Sequence, residues 1–220
     1  MVKRIKKMNP NENPEDRQYI EDNIDIDNHI EYMAFMMFFG NSDPGNTRYY
    51  RLDEEGSKWR WIFYDSDYGM FRYGYNSPRS YLDPDGMGDQ DIDNTIFLKI
   101  LEVDEWRDKF LRKLGHIFQT FTTEYMLSVL EPMVDQIAPE MQLHWARWGE
   151  LNEPNIIAEA PRTADGAYRY WVKRVDRLRN TIKIRPWQLY EFIQEEFNLT
   201  DAEMLEYFGE RPELPPDALL

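Results

Sequence analysis

Only two stretches of the 220-residue chain read as β-strands, residues 47–52 and 58–64, and five turn-forming or acidic residues, Asp53-Glu-Glu-Gly-Ser57, separate them. In the second stretch Trp59, Trp61 and Phe63 alternate with Arg60, Ile62 and Tyr64, the period of two that places neighbouring side chains on opposite faces. A chain with two such runs can build one antiparallel hairpin and no larger sheet. Its core must therefore come from helices, and the expected fold class is mainly α with a short β-hairpin (α+β).

The helical pattern surrounds the hairpin. Ile30, Met33, Ala34, Met37 and Phe38 recur at steps of three and four, and Gly40 is placed to end that helix. Asn28 followed by Glu31 suggests a capping box at its start. Beyond residue 95, apolar residues keep helical spacing through Phe121, then from Tyr125 to Ile137, Met141 to Trp148 and Tyr168 to Ile184. Residues 70–94 and 149–164 read as loops. Pro186 suits the first turn of a further helix, and Thr200-Asp-Ala-Glu203 is a second capping box. The expected organisation is a polar N-terminal tail or linker over 1–22, one domain over 23–209 and a C-terminal tail over 210–220.

Composition narrows the chemistry. Aromatics at 15% and seven Trp supply enough apolar surface for a core, although charged residues make up 30%. The net charge of −15 repels nucleic acid and anionic lipid and favours cations or basic partners. No Cys is present, which removes disulfides, thiolate metal sites and cysteine nucleophiles. No apolar run reaches the roughly 18–20 residues of a membrane span, and the basic start lacks the apolar segment of a signal peptide. The three His residues, His29, His116 and His144, show no metal-ligand spacing, so solvated or capping roles are expected for them.

The residues suited to chemistry flank the hairpin. Asp43-Pro-Gly-Asn46 is a tight loop before the first strand, and Asp65-Ser-Asp67 follows the second. A two-stranded ribbon between Asp43 and Asp65, twenty-two residues apart, folds both loops to the same end. Carboxylates gathered there suit a hard divalent cation, which takes oxygen ligands and needs few from the protein. The order of loop Asp, loop Asn, hairpin and second Asp is that of a protein-kinase lower lobe.

Three blocks carry a closer resemblance: Ile24-Asp-Ile-Asp-Asn-His-Ile-Glu-Tyr32, Phe39-Gly-Asn-Ser-Asp-Pro-Gly-Asn46 and Lys58-Trp-Arg-Trp-Ile-Phe-Tyr-Asp-Ser-Asp-Tyr-Gly69. With Phe97-Leu-Lys-Ile-Leu101, Trp106 to Phe110, Pro139 to Gly149, Arg177-Leu-Arg179, Arg185-Pro186 and Phe208-Gly209, they resemble the CotH family, atypical kinases named for a spore-coat protein. The resemblance covers roughly residues 20–210. It implies the C-terminal lobe of an atypical protein kinase that transfers the ATP γ-phosphoryl group to Ser or Thr of a protein substrate, with a basic, Ser-rich protein the expected one. Asp43 then matches the catalytic aspartate and Asp65 the metal-binding one. Asp67 stands beside it as a second ligand, and Asn46 is a metal and nucleotide ligand or a loop anchor. The loop is one residue shorter than the usual family pattern, with Thr47 at the second Asn position. ATP with Mg²⁺ or Mn²⁺ would be the cofactors, and the spore coat or cell exterior the location.

No Gly-rich phosphate loop and no strand-borne Lys in an apolar setting is found, so the chain is expected to be incomplete without an N-terminal lobe. The alternative is a non-catalytic interaction or scaffold module of a spore-coat or extracellular protein. Three further features have two readings each. The acidic run Asp83 to Asp93 resembles a Ca²⁺ loop, but an EF-hand's closing Glu would fall at Asn94, so a solvated loop is the simpler reading. Trp145, Trp148, Tyr168, Tyr170 and Trp171 suit core packing or sugar stacking. The basic face Arg169, Lys173, Arg174, Arg177 and Arg179 suits internal ion pairs or a phosphate contact.

Overall fold

The computed structural model describes residues 1–88, 91–148 and 164–218, and in it helices α1 (Val2–Ile5), α2 (Pro14–Asn23) and α3 (Ile26–Phe39) lead into the hairpin. Strands β1 (Arg48–Tyr50) and β2 (Arg60–Ile62) pair antiparallel, with Tyr49 opposite Trp61. Then follow α4 (Ser77–Leu82), α5 (Thr95–Leu101), α6 (Asp104–Thr120), α7 (Thr123–Trp148), α8 (Ala164–Phe197) and α9 (Asp201–Phe208). The expected α+β class, mostly helical with one hairpin, is the class observed.

Helix α3 is the central element. Ile30, Met33, Ala34, Met37 and Phe38 on it are almost wholly buried, packed with Phe97, Phe110, Leu114 and Phe118 from α5 and α6. Its start differs from the expected capping box: the cap is Asp25, whose side chain accepts the Asn28 amide. The Asn28 side chain is committed elsewhere. It accepts from the Trp61 backbone N–H at 2.6 Å and donates to the Trp61 carbonyl at 3.2 Å, pairing with β2 as a third strand would. A two-stranded ribbon is marginal alone, and Asn28 with the Ile24–Trp59 bridge fastens this one to α3. Replacing Asn28 by Ala should loosen the ribbon by about 1–3 kcal/mol, since two backbone groups lose their partner. Faster amide exchange at Trp59 and Trp61 would register it.

Residues 1–22 are mostly exposed, yet Ile5, Met8 and Ile20 belong to the main core. His29 also departs from expectation. It is buried, edge-on to Trp61 with ring centroids 4.2 Å apart, and neither ring nitrogen has a hydrogen-bond partner among the described residues. Burial pulls its pKa down to about 3, so the ring is neutral.

Pro186 does not open a new helix. It sits inside α8, where it supplies no N–H to the Ile182 carbonyl, and the Thr123 hydroxyl donates to that carbonyl instead at 3.4 Å. Helices α7 and α8 are further tied by Arg179, which donates to both Glu131 oxygens at 2.7 and 2.6 Å. Within the basic face, Arg179 is thus an ion-pairing residue. Among the aromatic set, Tyr168 and Trp171 lie against each other with centroids 5.7 Å apart, while the Trp148 side chain and residues 149–163, expected as part of a loop, lie outside the described residues. Thr200 and Glu203 form the capping box expected at the start of α9.

Candidate functional site

Two loops meet at the C-terminal end of α3, and the helix terminus itself holds them. The last four carbonyls of a helix lack partners inside it. Here Gly40, with φ +63°, turns the chain so that its own N–H and that of Asn41 reach the Met37 and Met36 carbonyls, each at 3.2 Å. This is a Schellman ending, and a residue with a Cβ is strained at that φ. Asn41 is buried, and its side-chain oxygen accepts the Asp43 N–H at 3.1 Å. Pro44–Asn46 then form a single 3-10 turn that leads into β1.

Past β2, Asp65 takes a left-handed backbone conformation with φ 54°, and Met70 another with φ 58°. Such angles cost a non-Gly residue energy and persist where the surroundings impose them. The Met70 N–H donates to the Phe39 carbonyl at 2.7 Å, so this loop hangs on the same helix terminus as the first.

The sequence-predicted residues are electrostatically coupled. The Asp65 carboxyl is raised above its ordinary value, first by lost hydration, then by a hydrogen bond to Asp67 and the charges of Asp67 and Asp43. Arg48 opposes this rise. Asp43 is half-buried, while Asn46, Asp65 and Asp67 are exposed. Thr47 is committed to the loop: its hydroxyl donates to the Pro44 carbonyl at 2.6 Å and lies 3.4 Å from the Tyr32 hydroxyl.

A carboxyl whose proton affinity is raised by the negative charges beside it is one that a cation would stabilise. Among the described residues no group of three or more His, Asp or Glu is gathered closely enough to hold a metal ion. A cation of the Mg²⁺ kind asks for fewer protein ligands than that, since it takes one or two carboxylates and completes its shell with water and phosphate oxygens.

The acidic run at 83–93 has local work for its oxygens. Asp83 accepts the Asp85 amide and Asp93 the Thr95 amide, both at 2.9 Å, while Met87 and Ile92 form an antiparallel bridge. Asp89 and Gln90 lie outside the described residues. Gly88 is pressed against the candidate site: an added Cβ would stand 2.3 Å from Pro44 Cδ.

One residue was given no role by the sequence reading. Arg185 is buried beneath both loops, and burial pulls its guanidinium down to about 10. An Arg directly before a Pro in an amphipathic helix was the only local sign of it, and its partners lie 108 to 148 residues away.

No candidate membrane-spanning helix occurs among the described residues. No curated protein and no solved structure matches the chain. The family model described as CotH kinase protein matches residues 1–189, from the first helix through the helix terminus, both loops and Arg185, and the chain belongs to the CotH kinase family.

Proposed function

We propose that this kinase-like chain is the catalytic and metal-binding portion of a protein Ser/Thr kinase, with Asp43 as the catalytic aspartate. The observation that carries this reading is the coupling of Asp43, Asp65 and Asp67 across two loops fixed to one helix end. Family membership supports a protein substrate, a nucleotide and a divalent cation in general terms. Asp43 accepts the proton of the substrate hydroxyl as its oxygen attacks the γ-phosphorus and the bond to the β-phosphate oxygen breaks. Asp65 and Asp67 would hold Mg²⁺, whose chemistry is to neutralise charge on the transferred phosphoryl group. Asn46 is the better third ligand, since the Thr47 hydroxyl is spent on the loop. The net charge of −15 suits a basic protein substrate.

The test compares wild type with Asp65→Ala in Mg²⁺-dependent phosphotransfer, using the full-length protein. Turnover should fall by roughly a hundredfold or more, because a metal ligand acts mainly in the transition state. Undiminished phosphotransfer in Asp65→Ala would overturn the reading.

The alternative, a non-catalytic interaction module, draws on a separate observation. Tyr49, Tyr50, Ile62, Phe63 and Tyr64 leave an exposed aromatic surface on and beside the hairpin, the kind of surface that marks a binding face. It predicts that ATP and Mg²⁺ leave the thermal unfolding temperature unchanged, whereas the kinase reading predicts a rise with ligand concentration.

A further inference from the structure

We propose that Arg185 is a positioning residue that locks the Asp43 loop and the Asp65 loop into one frame. The proposal deepens the kinase reading and rests on it for its functional half.

Arg185 is 2% exposed and has no carboxylate partner among the described residues. A buried charge without compensation is costly, yet among the described residues the hydrogen bonds of this guanidinium go to backbone carbonyls and a hydroxyl. Nε donates to the Phe38 carbonyl at 3.0 Å, and Nη2 to the Met37 carbonyl at 2.9 Å. These carbonyls are the negative end of the α3 dipole, which stabilises a cation there. Nη1 donates to the Tyr75 carbonyl at 2.6 Å, and Nη2 also to the Ser77 hydroxyl at 2.6 Å. Ser77 passes its own proton to the Met37 carbonyl, again at 2.6 Å.

The partners fall into two sets. Met37 and Phe38 are the last turn before the chain enters the Asp43 loop. Tyr75 and Ser77 close the segment that begins at Asp65. One rigid planar fork therefore spans the exit of the first loop's helix and the far end of the second loop. Gly40 leaves the space for it, since a Cβ there would lie 3.0 Å from Arg185 Nη2. With the Met70 amide on Phe39, the four terminal carbonyls of α3 are all occupied, and Arg185 supplies bonds to two of them. A lysine could reach one set with its single ammonium but could not bridge both.

The experiment is native-state amide exchange on the full chain for wild type, Arg185→Met, Arg185→Lys and Ser77→Ala, the last two being mild variants that guard against failure of Arg185→Met to fold. The Asn41, Asp43 and Met70 amides should exchange roughly tenfold faster or more in the variants, with the α6 and α9 interiors little changed, as in local opening. Uniform acceleration through every helix, or unchanged protection in the two loops, would overturn the proposal. Phosphotransfer supplies the second arm: kcat should fall in Arg185→Lys while the nucleotide KM holds. A wild type without phosphotransfer would count against the kinase reading alone, leaving exchange to decide the role of Arg185.

Discussion

Lowering the pH from 6.5 towards 3 should remove about 5 kcal/mol of stability through His29 alone, at about 1.4 kcal/mol per pH unit. In the unfolded chain the imidazole takes up a proton near its ordinary 6.5, while in the fold its pKa is held down to about 3. The folded state thus binds fewer protons across this window. The stability contribution is fully present above 6.5 and is lost progressively as the pH falls. The cause is burial against Trp61 and Phe97 with no partner for either nitrogen among the described residues. Urea unfolding at pH 7.0, 5.5 and 4.5 on wild type and His29→Leu isolates the effect, because the carboxylates held low by ion pairs or caps, Asp108, Glu131, Glu203 and Asp217, are common to both proteins. The wild type should lose about 2–3 kcal/mol more than the variant by pH 4.5. Parallel pH dependences would show that His29 is protonated in the fold. At neutral pH the variant should be no less stable, since it removes two unsatisfied buried polar atoms.

The second large effect is steric. Gly115 lies where α6 and α9 approach so closely that an added Cβ would stand 1.9 Å from the Tyr207 carbonyl oxygen. Backbone on both sides must move to admit a methyl group, so Gly115→Ala should push α9 away from α6. Met204 and Phe208, which are buried, would lose their packing, and the Tyr207–Asp108 hydrogen bond of 2.8 Å would break. Overpacking typically costs about 1–3 kcal/mol, and with the packing lost by α9 the expected destabilisation is about 3 kcal/mol or more. Denaturant unfolding gives the magnitude, and amide exchange across α9 (Asp201–Phe208) gives the location. A loss below about 1 kcal/mol would mean that α9 slides past Gly115 without leaving the core.

What could be read from the sequence was what local chemistry decides. Gly40 as a helix stop, the Thr200–Glu203 capping box and the hairpin all depend on residues within a few positions of one another. The loops carrying Asp43 and Asp65 were legible because a ribbon's geometry returns its two ends to one place. Errors arose where a distant partner overrode a local preference. Asn28 has the chemistry of a cap, but β2 claims its amide and Asp25 takes the cap. Pro186 looks like a helix start, but the Thr123 hydroxyl serves the carbonyl that proline leaves unbonded. His29 was read as solvated or capping because no sequence pattern announces a buried, unpartnered ring. Arg185 was named in a motif but given no role, because nothing near it in sequence reveals that its partners are the carbonyls of α3.

Main-chain partners have a consequence for how this protein can change over evolutionary time. An ion pair between two side chains can be exchanged for another pair, because a loss at one position can be repaired at the other. The carbonyls of Met37, Phe38 and Tyr75 belong to the backbone and are present whatever side chains those positions carry. No complementary substitution among them can answer a change at Arg185. Only Ser77 and Gly40, which bond the guanidinium and make room for it, offer side-chain positions that can adjust. On the role proposed for Arg185, the frame of the candidate site therefore depends on a residue with almost no route to compensation.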